Sequence, residues 1–233
     1  MTQRHPRFVW FFDLDDTLHD ASHAIIGRID QRMTEFVMRH LRIERAAADR
    51  LRRDYWHRYG ATLLGMVRHH AVDARHFLRD THDFDILALL RRHPGVVSLL
   101  RWLPGRKVLL TNAPAAYAHT VTVGLGVHRH LDRGYAIESM RIHGHLRPKP
   151  ARSMLRAMLK RESVRPASAA LVDDNLANLR AARAVGLRTI WVTGRRASAR
   201  KPAYVDVRVR NVRELRQVFG RVAPRAVRFT GTQ

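Results

Sequence analysis

The stretch VWFFDLDDTLHD (residues 9–20) decides the fold, because it joins four apolar residues directly to a group of acids. The apolar run, residues 9–12, has the composition of a buried strand. Asp13, Asp15 and Asp16 follow it without a break. Three carboxylates at the end of a buried strand require a reason, above all in a chain that is basic overall.

Apolar runs of the same character recur along the chain, and segments with helical periodicity separate the later ones. The runs are FVWFF (8–12), KVLLT (107–111), GYAIE (134–138), AALVD (169–173), RTIWV (188–192) and YVDVRV (204–209). Strands that alternate with helices favour a parallel sheet covered on both faces. The sequence therefore predicts an α/β fold with a Rossmann-like parallel sheet.

The segment between Thr17 and Lys107 interrupts this alternation. It is far longer than a crossover connection needs, and helical patterns run through it. The simplest account is a helical module inserted after the first strand. We predict an α/β core domain of residues 1–18 and 101–220, a helical cap domain of residues 19–100, called the cap below, and a basic, flexible tail of residues 221–233.

Polar side chains follow several predicted strands at the point where each strand ends. Ligands of an open parallel sheet bind beyond the carboxyl ends of its strands, so we expect these side chains to converge on one rim. The candidates are Asp13, Asp15, Thr17, Thr111, Asn112, Asp173, Asp174 and, in a loop just before a helix, Lys149.

Each of these elements also has a purely structural interpretation. A D-x-D-x-T turn can cap a strand, Thr111 and Asn112 can cap a helix, and Lys149 can be one more surface cation. Asp173 and Asp174 can complement the dipole of the next helix. The occurrence of all four elements in one chain is hard to attribute to chance, which favours a functional site.

Such a set of side chains is suited to phosphoryl transfer. Asp13 and Asp174 can bind Mg²⁺, which prefers carboxylate and phosphate oxygens. Asp13 can then attack phosphorus and form an aspartyl-phosphate. Asp15 can protonate the leaving alkoxide and later deprotonate the attacking water.

The remaining phosphate oxygens need donors. The Thr111 hydroxyl, the Lys149 ammonium and the backbone N–H groups at the start of the helix after Asn112 can supply them. Lys149 also offsets the charge of Asp13.

The chain resembles the phosphatases of the haloacid dehalogenase superfamily. That family combines a D-x-D-x-T loop, a Thr or Ser after the second strand, a Lys before a helix and an acidic pair after the fourth strand. The corresponding stretches here are DLDDT (13–17), LLTNA (109–113), RPKP (147–150) and LVDDN (171–175). The resemblance covers residues 8 to about 192 and implies a core sheet of strand order 3-2-1-4-5 with an inserted helical cap.

By this resemblance Asp13 is the nucleophile and a metal ligand, and Asp15 is the acid/base, with its backbone carbonyl on Mg²⁺. Asp174 is a metal ligand supported by Asp173. Many members carry a second acid at the position of Asn178, which gives Asp173 more weight as a compensating charge in the metal site. The implied phosphate contacts are Thr111, Asn112 and Lys149.

Within the superfamily, the chain looks most like pyrimidine 5′-nucleotidases that carry a helical cap. IDQRMTEFVMRHL (29–41), LRRDYWHRYGATLLGM (51–66) and GRKVLLTNAP (105–114) resemble the cap and the second motif of that group. The resemblance implies hydrolysis of UMP and CMP in nucleotide metabolism. Relatives often have Tyr where His19 stands, so the contact of the first loop with substrate can differ here.

Substrate selection is expected from the cap, because the four motifs recognise only what every phosphomonoester supplies. Tyr55 and Tyr59 are four residues apart and share a helix face, with Trp56 beside them. One of these rings can stack on a nucleobase, and packing is the alternative for each. The predicted substrate contacts outside the rim are His19, Tyr55, Trp56 and Tyr59.

The charge balance is strongly basic, with 43 basic and 20 acidic residues and a formal net charge of +23. Such a surplus attracts anions, from phosphorylated metabolites to nucleic acid. Because the arginines are spread along the chain, we interpret them mostly as a solvated surface. A nucleic-acid-binding or scaffold protein on the same fold is the alternative from another class, and the intact acidic set argues against it.

The absence of Cys excludes disulfides, thiolate metal sites and Cys nucleophiles, which leaves oxygen or imidazole to hold a metal. No apolar run approaches the roughly 20 residues that cross a bilayer, and the start MTQRHPR has no apolar segment behind it that resembles a signal peptide, so we expect a cytoplasmic enzyme or binding protein. Related chemistries remain open: a dehalogenase, a sugar-phosphate mutase or a phosphoglycolate-type phosphatase. Asp15 argues against dehalogenation, which has no leaving alkoxide to protonate.

Overall fold

A parallel sheet forms the centre of the molecule. The computed structural model describes residues 8–91, 95–194 and 200–222. Its strands are β1 (Val9–Phe12), β2 (Arg106–Leu110), β3 (Arg133–Tyr135), β4 (Arg141–Ile142), β5 (His145–Leu146), β6 (Ala169–Asp173), β7 (Arg188–Val192) and β8 (Val207–Val209). Its α-helices are α1 (Ile25–Leu41), α2 (Arg45–Tyr59), α3 (Thr62–His70), α4 (Ala74–Thr81), α5 (Ile86–Leu89), α6 (Val96–Trp102), α7 (Ala115–Gly124), α8 (Arg152–Arg161), α9 (Leu176–Ala184) and α10 (Leu215–Val222).

The six strands of the main sheet lie in the order β3-β2-β1-β6-β7-β8, and all neighbours run parallel. Counted along the chain without the β4–β5 hairpin, this order is 3-2-1-4-5 with a sixth strand added at the edge. The predicted α/β fold and its strand order are therefore confirmed. The hairpin was not predicted, because strands of two residues each leave no periodic pattern.

Strand β1 lies at the middle of the sheet and is buried on both faces. Trp10 and Phe12 point into one hydrophobic cluster with Leu99 of α6. Val9 and Phe11 point into the opposite cluster. This alternation explains why the strand is apolar at every position, as expected for a central strand of a parallel sheet.

Helices α1 to α4 enclose a third hydrophobic cluster, which contains Phe36, Met66 and Phe77. Ile137, in the segment after β3, joins this cluster and connects it to the core. The assignment of residues 19–100 to the cap stays a prediction. Helix α6 begins within this range and packs Leu99 against the sheet. Of the predicted tail, residues 223–233 lie outside the described residues, and residues 221–222 belong to α10. Within the described part of the chain, no helix is long and apolar enough to span a bilayer.

Candidate active site

The predicted rim is formed by the ends of three adjacent strands. Asp13 follows β1, Thr111 follows β2, and Asp174 follows β6. Because β1 pairs in parallel with both neighbours, the ends of the three strands lie at the same edge of the sheet. The Asp13 N–H donates to the carbonyl of Val172 over 2.9 Å, which extends the strand ladder up to the first acid.

The loop after β1 turns sharply away from the sheet. The Leu18 N–H donates to the carbonyl of Leu14, which closes a single helical turn. Asp16 adopts a left-handed conformation with φ of 55°. The Ser22 N–H donates to its carboxylate over 2.8 Å and stabilises this turn. The turn fixes the positions of Asp13 and Asp15 on either side of Leu14.

Lys149 lies between two carboxylates. Its Nζ is 2.8 Å from Asp13 Oδ1 and 2.8 Å from Asp173 Oδ2, and the residue is only 1% exposed. Burial alone would lower the pKa of Lys149, but the charges of Asp13 and Asp173 outweigh it and raise the pKa. The ammonium group is therefore a fixed positive charge at the centre of the site.

Two acids at the rim, Asp13 and Asp174, have pKa values above those of ordinary carboxyl groups. Burial raises the pKa of Asp13 to about 7, against the opposing charge of Lys149 and with support from Asp173. Burial, followed by the charges of Asp173 and Asp13, raises the pKa of Asp174 to about 8. Both shifts mean that the ionised cluster lacks compensating positive charge.

A divalent cation would supply that charge. One oxygen each from Asp13, Asp173 and Asp174 lies within 4.8 Å of the other two. Three carboxylates face one ammonium group, so a doubly charged cation would balance the site. The donors are all oxygen, which fits Mg²⁺ and not a metal that prefers sulfur.

Asp173 is the most constrained of the three acids, since it is fully buried. Besides Lys149, it accepts hydrogen bonds from the Asn175 N–H at 2.8 Å and from Asn178 Nδ2 at 3.0 and 3.1 Å. The amide at position 178 thus contributes a donor to Asp173 where a second acid would add negative charge. Direct binding of a metal by Asp173 stays a prediction.

Asn112 and Thr111 shape the loop after β2. Asn112 Nδ2 donates to the Lys149 carbonyl over 3.0 Å, and the Lys149 N–H donates to Asn112 Oδ1 over 2.9 Å. This paired contact holds the backbone of Lys149, 37 residues further along the chain. Thr111 Oγ1 accepts from the Ala113 N–H over 3.0 Å. Of the predicted phosphate contacts, Asn112 is thus hydrogen-bonded to Lys149, and Thr111 bonds within its own loop.

Asp15 has a partner that the sequence did not indicate. The Tyr117 hydroxyl, on α7, donates to Asp15 Oδ1 over 2.6 Å. The imidazole of His19 lies 2.9 Å from the same oxygen through Nε2. His19 is 3% exposed, and its predicted contact with substrate stays a prediction. The available signal was position, because Tyr117 lies in the first turn of α7, the helix that follows Thr111 and Asn112.

Tyr55 and Tyr59 of the cap contact each other and the histidines of α3. The Tyr55 hydroxyl is 2.7 Å from His70 Nε2, and the Tyr59 hydroxyl is 2.6 Å from His69 Nε2. Trp56 is 50% exposed. Their roles as substrate contacts stay predictions.

The end of α2 reaches the rim. A Cβ atom at Gly60, the residue after Tyr59, would lie 3.1 Å from Pro150 Cδ and 3.5 Å from the Lys149 carbonyl oxygen. Gly60 has φ of 81°, a left-handed conformation that glycine adopts without strain. The cap therefore contacts the loop that carries Lys149.

Comparison with known proteins gives a consistent result. The family model described as haloacid dehalogenase-like hydrolase matches residues 9–186. A HAD phosphatase from Thermococcus onnurineus is similar in structure, with a TM-score of 0.60, 21% identity and coverage of 93% of this chain and 100% of that one.

Two further solved structures share the fold. CbbY from Rhodobacter sphaeroides, in complex with phosphate, has a TM-score of 0.63 and 19% identity, and covers 90% of this chain and 96% of its own. L-2-haloacid dehalogenase from Xanthobacter autotrophicus has a TM-score of 0.59 and 15% identity, and covers 93% and 100%. At these identities the similarity concerns the fold alone.

Proposed function

The chain belongs to the haloacid dehalogenase-like hydrolases, and from that premise we propose that it is a Mg²⁺-dependent phosphomonoesterase that acts through an aspartyl-phosphate. The observation that carries the proposal is the Lys149 ammonium held between Asp13 and Asp173, 2.8 Å from each, with Asp174 beside them. This arrangement combines a carboxylate nucleophile, a cation for the phosphate and acids for a metal.

The two carboxylate oxygens of Asp13 are not equivalent, and this decides which of them attacks. Oδ1 accepts from the Leu14 N–H at 2.8 Å and from Lys149 at 2.8 Å. The second oxygen, Oδ2, is then the one that forms the bond to phosphorus as the ester bond breaks. Asp13, Asp174 and Asp173 would hold Mg²⁺, with the Asp15 backbone carbonyl as a further ligand. When bound, Mg²⁺ would neutralise the carboxylates and allow an anionic phosphate to approach.

Asp15 handles the proton in both halves of the reaction. In the first half its carboxyl group protonates the leaving alkoxide, and in the second half its carboxylate takes a proton from water that attacks the phosphorylated Asp13. The Thr111 hydroxyl, Lys149 and the N–H groups at the start of α7, beyond Asn112, bind the phosphoryl oxygens.

For the substrate, we propose a pyrimidine nucleoside 5′-monophosphate, UMP or CMP, hydrolysed in the cytoplasm. Two features support this choice: the similarity of the cap and second motif to pyrimidine 5′-nucleotidases, and the contact of the end of α2 with the Lys149 loop. Trp56, half exposed on α2, is the ring most available for stacking on a base. Phosphoglycolate and sugar phosphates remain alternative substrates, because the rim binds only the phosphate.

The test is a screen of the purified protein for phosphate release, with and without Mg²⁺ and after chelation. UMP, CMP, AMP, GMP, phosphoglycolate, a sugar phosphate and 2-chloropropionate form the panel. We expect Mg²⁺-dependent hydrolysis with higher kcat/KM for UMP and CMP than for the other compounds. Full activity after exhaustive chelation, or dehalogenation without phosphate release, would refute the mechanism. Faster hydrolysis of purine nucleotides or phosphoglycolate would refute only the pyrimidine preference.

A further inference from the structure

Both hydrogen bonds to the Asp15 carboxyl group end on the same oxygen. Tyr117 donates to Oδ1 over 2.6 Å, and His19 Nε2 lies 2.9 Å from Oδ1. Within the described part of the chain, no side chain or N–H group bonds to Oδ2. The two oxygens of the acid/base are therefore not equivalent in the folded protein.

Both partners are in the form that donates. The Tyr117 hydroxyl has one hydrogen, which it donates to Asp15 Oδ1 over 2.6 Å. An ionised carboxylate can only accept, so the hydrogen of the second bond is on His19 Nε2. The other nitrogen of His19, Nδ1, is buried without a hydrogen-bond partner among the described residues. A hydrogen on Nδ1 would be left unpaired, so the geometry places the bonding hydrogen on Nε2.

The two donors come from different parts of the molecule. Tyr117 is 1% exposed on α7 in the core, and its ring meets the ring of His82 edge-on at 5.3 Å. His82 follows α4 in the cap, and its Nδ1 is 2.9 Å from the Leu78 carbonyl. His19 lies in the loop that leads from the core into the cap. Rotation of the Asp15 carboxyl group would break bonds to both sides at once.

We propose that Tyr117 and His19 are positioning residues that fix the orientation of the Asp15 carboxyl group and leave Oδ2 to exchange the proton with substrate and water. The inference rests on the proposed function, because the orientation of Asp15 matters to turnover only if this group transfers a proton. It assigns a role to two residues whose hydrogen bonds at the rim go to the Asp15 carboxyl group and not to Asp13, Asp173 or Asp174.

The proton balance is complete without either positioning residue changing its own protonation. In the first step the bond from Asp13 to phosphorus forms, the ester bond breaks, and the proton passes from Asp15 Oδ2 to the leaving oxygen. In the second step water attacks phosphorus, gives its proton to Oδ2, and the bond to Asp13 breaks. Because Oδ1 already accepts two hydrogen bonds, the proton is directed to Oδ2.

The test compares Tyr117→Phe with Tyr135→Phe. Tyr135 is a matched control, since its hydroxyl makes a buried bond of the same length, 2.6 Å, to the carboxylate of Glu162, which has no assigned part in the reaction. The substitution leaves the Tyr135 carbonyl, which accepts from the Thr111 N–H, in place. We expect Tyr117→Phe to lower kcat on the order of 10- to 100-fold with little change in KM, as for a misplaced catalytic group. Tyr135→Phe should reduce thermal stability similarly and leave kcat near that of the wild type.

A comparison of two leaving groups distinguishes a positioning role of Tyr117 from a general structural effect of its substitution. An alkyl phosphomonoester needs its leaving oxygen protonated, whereas p-nitrophenyl phosphate releases a stable phenolate. We therefore expect Tyr117→Phe to lower kcat/KM much more for the alkyl substrate than for p-nitrophenyl phosphate. In an Asp15→Asn background, Tyr117→Phe should cause no further loss, because its effect passes through the Asp15 carboxyl group.

His19 provides an independent second test. His19→Gln places an amide N–H where Nε2 stands and should retain most of the activity, while His19→Leu removes the donor and should show the same leaving-group dependence as Tyr117→Phe. Equal losses on both substrates, or equal kcat values for Tyr117→Phe and Tyr135→Phe, would overturn the positioning role and leave the phosphomonoesterase intact. A wild-type protein without phosphomonoesterase activity would overturn both.

Discussion

The charged centre of the rim and the aromatic side chains of α2 in the cap are held in different ways. At the rim, the Lys149 ammonium group is fixed between Asp13 and Asp173, two buried acids from other segments of the chain. In the cap, Tyr55 and Tyr59 bond to histidines of the adjacent helix, and Trp56 is half exposed.

This difference matches the demands of the two proposed tasks. Proton and phosphoryl transfer require reacting atoms within a few tenths of an ångström of their working positions, which calls for groups locked by several bonds. Recognition of a flat base by stacking tolerates more variation in geometry. Substitutions at the rim should therefore change the chemical step, and substitutions in the cap should change the choice of substrate.

Asp13→Asn tests the rim and should have the largest effect of all the substitutions. It removes the nucleophile and one metal charge while keeping the shape, so we expect turnover to be abolished in a protein that still folds, measured as phosphate release and by circular dichroism. Asp54→Asn makes the same change at an exposed site on α2 and should leave activity intact. Comparable activity of the two variants would contradict the assignment of Asp13.

Asp15→Asn should have the next largest effect. The amide retains an oxygen that can accept from Tyr117 but cannot transfer a proton, so kcat should fall by a factor on the order of 10²–10⁴. Mg²⁺ binding should remain close to that of the wild type, which isothermal titration calorimetry can measure. A parallel loss of metal affinity would indicate that Asp15 acts mainly through the metal site.

Trp56→Ala tests whether the cap selects the substrate. If the ring stacks on the base, kcat/KM for UMP and CMP should drop about tenfold, the usual size of one aromatic stacking contact. Hydrolysis of p-nitrophenyl phosphate should be unaffected, since it needs only the rim. Val67→Ala, at another exposed apolar site of the cap, serves as control. An equal change for all substrates would argue against stacking by Trp56.

The pH dependence of folding stability should show a smaller effect than the substitutions above. The pKa values of Asp13 and Asp174 are raised from 3.8 to about 7 and about 8. A carboxyl group whose pKa is higher in the folded chain stabilises the fold fully below the unfolded value and loses that contribution as the pH rises through the folded value. The metal-free protein should therefore lose stability from about pH 4 to about pH 8.

Asp174→Asn should reduce this loss, raising the melting temperature at the alkaline end of the range by about 2–4 °C for each 1 kcal/mol of relieved repulsion. Thermal unfolding of both proteins in EDTA measures the effect. Added Mg²⁺ should stabilise the wild type and act only weakly on the variant. Parallel pH curves for the two metal-free proteins would contradict the raised pKa of Asp174.

The sheet and the rim were predictable because each depends on short-range patterns. Strands β1, β2, β6 and β7 each leave an apolar run, and polar residues just after parallel strands must meet at one edge. Asp13, Thr111 and Asp174 are brought together for this reason alone. Strand β3 (Arg133–Tyr135) begins one residue before the run predicted at 134–138 and ends three residues before the end of that run. The sequence also shows directly that position 178 carries Asn and not a second acid.

The contacts that hold the site were not predictable from such patterns. Tyr117 reaches Asp15 across 102 residues, and Asn112 clamps Lys149 across 37. These pairings depend on the angle at which α7 leaves the sheet and on the path of the loop before α8. A sequence motif specifies which residue types are present, whereas side-chain partners depend on packing that no local period encodes.

The burial of Lys149 has a consequence for labelling chemistry. Amine-reactive esters attack only amines that are unprotonated and within reach, and Lys149 in the folded protein is neither, whereas Lys160 is exposed. With four lysines in the chain, Lys107, Lys149, Lys160 and Lys201, peptide mapping can resolve each one. Acylation at position 149 would therefore mark molecules in which the loop that carries Lys149 has opened.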